Sequence, residues 1–205
     1  MNNSLSDNKA PLQKLILIGA STGGPKAVTQ ILENLPNDFP ATVIVLQHMP
    51  EFFIANFAKR LNATSPLTVV LAEAEDILQP GHAYIAPYGF DLILEKISKS
   101  DELYRIILNK NNVYTTSPSI NATFNSAAAL LKNRVLGVIL TGMGKDGVEG
   151  CQTIKSYGGR TIAQDEASSA VFGMPKSAIA AQVIDRILPI HEIPIAILKE
   201  VQEPS

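Results

Sequence analysis

The chain has little of what many protein classes depend on. Its 205 residues include one cysteine, three histidines and no tryptophan. One cysteine, Cys151, excludes an internal disulfide and any zinc site built from paired cysteines. It also fits a reducing compartment. His48, His82 and His191 share no ligand-like spacing, so no metal cluster is expected. Excess positive charge is absent as well: 17 Lys+Arg against 19 Asp+Glu give a net charge of −2. Bulk attraction to a nucleic-acid backbone or an anionic membrane is therefore excluded. The longest apolar runs, such as residues 15–20 and 43–46, are too short to cross a bilayer. Residues 1–14 lack the apolar stretch of a signal peptide. A soluble, cytoplasmic protein is expected, without membrane insertion and without nucleic acid as partner. What remains is an ordinary globular composition, 46% hydrophobic and 18% charged.

Periodicity supplies the architecture. Residues 1–14 are polar and read as a disordered tail; residues 15–205 read as one domain. The apolar run 15–18, closed by Gly19, is a first strand. Pro25 then stands where a helix begins, and Ala27, Val28, Ile31 and Leu32 recur at helical spacing, which predicts a helix over 24–35. Residues 42–47 (TVIVLQ) are apolar on both faces, as in a buried parallel strand. Phe53, Ile54, Phe57 and Leu61 predict a helix over 51–61, and 67–71 is a third strand. This alternation is the signature of an α/β fold, a doubly wound, mostly parallel sheet flanked by helices. The stretches 82–86, 91–96 and 104–109 read as short strands in a hairpin or meander appended to that sheet. A helix over 121–131, capped by Ser119 or Asn121, a strand over 135–140 and a helix over 147–157 follow. A strand over 160–164 and helices over 175–183 and 193–201 complete the chain.

Ligands of open α/β sheets bind at the carboxyl ends of the strands. Gly19-Ala20-Ser21-Thr22-Gly23-Gly24 follows the first strand. Gln47-His48-Met49-Pro50 follows the second, and Thr141-Gly142-Met143-Gly144-Lys145-Asp146-Gly147 follows the late one. A serine, a histidine and an aspartate thus stand at separate strand tips on one edge, the inventory of nucleophile, base and orienting carboxylate. The first loop also matches Gly-x-Ser-x-Gly between strand and helix, a sharp turn that pushes a serine outward. The bare pattern arises by chance in roughly one chain in fifteen of this length. Two other readings of this loop stay open, a phosphate cradle and a plain tight turn. A dinucleotide fingerprint wants glycine at Ser21, and the Walker lysine is missing after Gly24.

Asp146 has two roles open to it, capping the helix behind it and accepting the ring N–H of His48. The spacing Gly142-x-Gly144-x-x-Gly147 also permits a nucleotide reading. The Thr22 amide, and backbone near Met143, can serve as oxyanion donors. His82 sits in a Pro80-Gly81 turn and His191 near the C-terminus, each without an evident partner.

The segments IGASTGGP, VLQHMP, GVILTGMGKDGVEG and TIAQDEASSAVFGMPKSAI, in that order, resemble the catalytic domain of the chemotaxis protein-glutamate methylesterase (CheB) family. The resemblance covers residues 15–198 or so. It implies hydrolysis of glutamate γ-methyl esters on methylated chemoreceptor cytoplasmic domains, with glutamine deamidation as a second activity. It implies Ser21 as nucleophile, His48 as base, Asp146 as orienting carboxylate, Met143 as oxyanion donor through its amide, and Thr22 as support. No metal or organic cofactor is expected, and an imidazole base predicts activity that rises through about pH 6 to 7.

Three departures from the family pattern stand out. Members usually carry an N-terminal receiver domain, whereas about fourteen residues precede the first strand here, so phosphorylation control in cis is expected to be absent. The family's Arg-Pro-Ser-x-Asp reads Ser117-Pro118-Ser119-Ile120-Asn121. Asp91 stands before Leu92, where relatives often have histidine. The last two changes direct attention to substrate choice rather than to the chemistry.

Overall fold

The computed structural model describes residues 12–97, 102–110 and 118–202. The chain runs β1 (Leu15–Ala20), α1 (Gly24–Leu32), β2 (Thr42–Gln47), α2 (Glu51–Thr64), β3 (Thr68–Leu71) and β4 (His82–Ile85). It continues through β5 (Asp91–Lys96), β6 (Tyr104–Asn109), α3 (Ile120–Leu131), a short 3-10 turn and β7 (Val135–Ile139). Last come α4 (Val148–Ser156), β8 (Arg160–Gln164), α5 (Met174–Ala180), β9 (Arg186–Leu188) and α6 (Ile193–Gln202).

Seven strands form one sheet in the order β3-β4-β2-β1-β7-β8-β9, and its neighbours pair in parallel. Parallel strands need cover on both faces, which explains why β1, β2 and β7 are buried along their whole length. Side chains alternate between two cores. Ile16 and Ile18 point to the layer of α1, α2 and α6, with Val28, Phe57 and Ile197. Leu15 and Leu17 point to the layer of α3, α4 and α5, with Phe124, Ile154 and Ala178. The β5–β6 hairpin is a separate antiparallel pair, and its Leu92, Leu94, Tyr104 and Ile106 join this second core.

The strand over 82–85 corrects one expectation. It does not belong to the appended hairpin but lies inside the main sheet, between β3 and β2. Its crossover from β3, residues 72–81, contains no helix, so the alternating pattern that marks parallel strands is missing there. The connector is pinned instead by buried Leu78 and by two hydroxyls: Tyr84 donates to the Ile77 carbonyl (2.8 Å) and Thr42 to the Gln79 carbonyl (2.7 Å). The edge strand β9 carried no usable sequence signal, since two of its three residues are exposed. At the N-terminus, the chain is already packed at Leu12, inside the stretch read as a polar tail; its N–H donates to the Glu102 carbonyl at 3.0 Å. Residues 1–11 and Ser117 lie outside the described residues. No helix among the described residues is long and apolar enough to cross a membrane.

Candidate active site

β1 lies at the centre of the sheet, with β2 on one side and β7 on the other. The chain leaves β1 toward β2 and returns on the opposite side at β7, so the crevice of a topological switch opens at their carboxyl ends. Ser21 follows β1, His48 follows β2 and the Asp146 loop follows β7, which brings the three residues to that crevice. Ala20 and Gln47 are register partners, so Ser21 and His48 leave adjacent strands at the same level.

His48 Nε2 lies 3.0 Å from Asp146 Oδ2, and both side chains are largely buried. The carboxylate also accepts the first amides of α3, from Ile120 (2.9 Å to Oδ2) and Asn121 (3.0 Å to Oδ1). Burial works against ionisation of Asp146, but the hydrogen bonds from His48, Ile120 and Asn121 outweigh it and hold its carboxyl below the ordinary value. An ionised carboxylate can only accept, so the ring proton belongs on Nε2. Nδ1, which has no partner among the described residues, keeps the lone pair.

Asp146 accepts from His48 as one reading expected, but the other is corrected: the helix it caps is α3 and not α4, the helix that follows it in sequence. The start of α3 shows why the site is rigid. A helix leaves its first amides without partners. Here Ser119 N–H goes to Asp91 Oδ1 (3.0 Å), those of Ile120 and Asn121 go to Asp146, and Ala122 N–H goes to Ser119 Oγ (3.2 Å). Asn121 completes the lock from the other side: its Oδ1 accepts from Gly147 (3.0 Å) and Gly150 (2.9 Å) at the start of α4. Asp146 therefore caps α3 while Asn121 of α3 caps α4. Burial raises the Asp91 carboxyl above its ordinary value; the Ser119 amide opposes this and the nearby charge of Asp146 adds to it.

Ser21 is fixed through its backbone. Its N–H donates to Thr141 O (3.0 Å), and its carbonyl accepts from Gly24 N–H (2.8 Å) and Gln47 Nε2 (2.9 Å). Its hydroxyl makes no hydrogen bond to a described residue, the open geometry common in unliganded sites. Gly142 packs against it: a Cβ there would stand 2.7 Å from Ser21 Cβ, so the missing side chain lets the Met143 loop come close. The amides of Thr22 and Met143 have no acceptor among the described residues and remain available as donors. A cleft of about 640 Å3 opens beside the pair, lined in part by His48, Asn121, Met143, Asp146 and Val148. Ser21 and Thr22 stand outside that lining.

The other candidates fall away from this edge. His82 Nδ1 donates to the Pro80 carbonyl (3.1 Å) and its ring stacks on Tyr84, while His191 is exposed beside Glu192. Cys151 is fully buried, and burial pushes its thiol up, away from thiolate chemistry. Among the described residues, no three His, Cys, Asp or Glu side chains gather as a metal site.

Three supporting residues went unnoticed in the sequence. Gln47 Nε2 donates to the carbonyls of Ser21 and His48, each at 2.9 Å. Thr141 Oγ1 donates to the Thr22 carbonyl (2.9 Å) and accepts from Val171 N–H (2.9 Å). Gln164 Oε1 accepts from Thr141 N–H (2.9 Å) while its Nε2 donates to Ser168 O (2.8 Å). The available signal was a glutamine at the carboxyl end of a strand, in TVIVLQ and again in RTIAQ.

A doubly wound sheet carrying serine, histidine and aspartate at three adjacent strand ends defines the class: an α/β protein with the residue set of a serine hydrolase. Comparison with known proteins narrows it further. The pattern described as CheB methylesterase matches residues 16–197, and the chain belongs to that family. It is 42% identical over 181 residues to a protein of Thermotoga maritima named protein-glutamate methylesterase/protein-glutamine glutaminase, covering 88% of this chain and 52% of that one. A protein of the same name from Thiobacillus denitrificans is 45% identical over 188 residues, 91% of this chain and 52% of the other. The crystal structure of the Thermotoga maritima CheB methylesterase catalytic domain superposes with a TM-score of 0.87 at 42% identity, covering 91% of this chain and 97% of that one. The chain thus spans about half the length of the curated relatives it matches.

Proposed function

We propose that the protein hydrolyses glutamate γ-methyl esters on the cytoplasmic domains of methylated chemoreceptors, and deamidates glutamine side chains there by the same route. The His48–Asp146 pair carries this reading: a carboxylate fixed by two helix amides leaves one imidazole nitrogen as a base beside a serine-bearing turn.

In the first step Ser21 Oγ attacks the ester carbonyl carbon and its proton passes to His48 Nδ1. The carbonyl oxygen becomes an oxyanion that accepts from the Thr22 and Met143 amides. Asp146 stabilises the imidazolium that forms. The tetrahedral centre collapses, the C–O bond to the methoxy group breaks, and the imidazolium returns the proton so that methanol leaves. Water then attacks the acyl-serine by the same path, freeing glutamate and regenerating Ser21. With a glutamine side chain the leaving group is ammonia. Partner and compartment follow from this reading: methylated receptor domains, in the cytoplasm.

The substrate half of this proposal is tested by comparing kcat/KM for methylated chemoreceptor fragments with that for a small generic methyl ester. A receptor preference of at least two orders of magnitude is expected. Equal turnover of the two, or turnover of the generic ester alone, would move the protein to a hydrolase of another substrate.

A further inference from the structure

We propose that Gln47 is a positioning residue, whose single side-chain amide sets the spacing between the nucleophile and its base. The proposal rests on the assignment of Ser21 and His48 to those roles.

Gln47 ends β2 and is 1% exposed, so it meets no substrate. Its Nε2 donates to two carbonyls, Ser21 O and His48 O, each at 2.9 Å. Both partners are carbonyls and can only accept, which fixes which end of the amide is nitrogen. The last ladder bond between the strands is His48 N–H to Ala20 O, at 2.9 Å. Beyond it the chains part, one turning into α1 and the other into α2. Among the described residues, no other hydrogen bond joins the 21–24 turn to the 48–50 segment. The Gln47 amide therefore bridges the two catalytic residues where the sheet no longer does.

The other end of the same amide shows that this arrangement is maintained at a cost. Gln47 Oε1 is buried, and no described residue donates a hydrogen bond to it. Native interiors rarely leave an acceptor in that condition without a reason. The oxygen lies against Gly24, where an added Cβ would stand 2.1 Å from it. Gly24 is helical and its φ is not positive, so backbone conformation does not require glycine there. Close packing does, against the Gln47 amide and also against Ala20 Cβ, which the added Cβ would meet at 2.7 Å. An apolar isostere of glutamine would avoid the orphaned oxygen, and it would also remove both bridging bonds.

Serine and imidazole must meet within a few tenths of an ångström, and a misplacement of about 1 Å costs on the order of 100-fold in rate. The test is Gln47→Met, which keeps length and removes the bridge. Expected on methylated receptor fragments is a fall of about 10- to 100-fold in kcat, with KM unchanged and the fold intact by circular dichroism. A merely structural role would not produce the second readout. In a His48→Ala background, Gln47→Met should cost nothing further, because the pair it aligns is already broken. Wild-type kcat in folded Gln47→Met, or an equal loss in both backgrounds, overturns the proposal. If Gln47→Met does not fold, Gln47→Glu, which turns an acceptor toward both carbonyls, is read in the same way; failure of both to fold also overturns it. Ser21→Ala and His48→Ala alone separate the two claims. Full activity in either sinks the underlying assignment, whereas their inactivity beside an unaffected Gln47→Met sinks only the positioning role.

Discussion

His48 meets Asp146 through Nε2, and that one contact decides which ring nitrogen is left for chemistry. In the trypsin-like arrangement the aspartate takes Nδ1 and the serine faces Nε2. Here the carboxylate occupies Nε2, so Nδ1 is the nitrogen left without a partner among the described residues. The sheet explains the difference. His48 leaves β2 beside the Ser21 turn, while Asp146 arrives from β7 across β1, fixed by α3.

Asp146→Asn keeps the shape of the site and removes the charge. An amide can offer His48 a donor as well as an acceptor, which frees the ring to adopt the wrong tautomer. A loss in kcat on the order of 10³- to 10⁴-fold is expected, as for the corresponding change in trypsin. The α3 cap weakens too, costing about 0.5–2 kcal/mol. Steady-state kinetics beside a thermal melt separates the two effects, since the stability loss is far too small to explain the rate.

Asn121→Ala strips two amides of α4, those of Gly147 and Gly150, of their acceptor. It leaves the backbone N–H that holds Asp146 in place. The expected outcome is a loss of about 1 kcal/mol, seen as a fall of about 2–4 °C in Tm, with kcat reduced by less than about 10-fold. A rate loss as large as that of Asp146→Asn would mean that the α3–α4 lock, not the carboxylate, carries the geometry.

Two carboxylates predict opposite pH behaviour. Asp185 is opposed by burial, but hydrogen bonds from Lys155, Thr161 N–H and Thr161 Oγ1 lower its carboxyl below the ordinary value. Its contribution is present above the unfolded value near pH 4 and is lost as pH falls through the lower folded value. Asp91 is raised, so its ionisation in the fold weakens stability as pH rises through the folded value. Asp185→Asn should therefore destabilise at pH 7 by about 1–3 kcal/mol. Asp91→Asn, which keeps an acceptor for Ser119 N–H, should stabilise at pH 7. The Asp91 difference should shrink below about pH 4, where folded and unfolded chains are both protonated, and the Asp185 difference only at lower pH, as its depressed folded value is passed. Denaturant melts from neutral pH downward check the signs.

Much of the architecture was legible because the sequence is locally consistent. Pro25 at the start of α1 and TVIVLQ as a buried strand mark their elements without ambiguity. Ser21 and His48 were legible for the same reason, since each directly follows a strongly apolar strand, and Asp146 lies in the glycine-rich loop after another. What stayed hidden depends on long-range partners. His82–Ile85 is a central strand only because residues 72–81 cross over without a helix. Leu12 looks like part of a polar tail until Arg134 Nη1 is seen to donate to its carbonyl (3.0 Å). Gln47 is an ordinary polar residue in the sequence, and its two carbonyl partners lie 26 residues back and one residue on. That Asp146 caps α3 rather than α4 rests on a pairing 25–26 residues apart, beyond the reach of any local pattern.

The central claim, that Ser21 is the nucleophile of a glutamate methylesterase, is tested most directly by methanol release. Methylated chemoreceptor cytoplasmic fragments are incubated with wild-type protein and with Ser21→Ala, and free methanol is measured over time. The account predicts catalytic release by the wild type and background release by the variant. Equal release by both proteins, or none from the folded wild type, would contradict it.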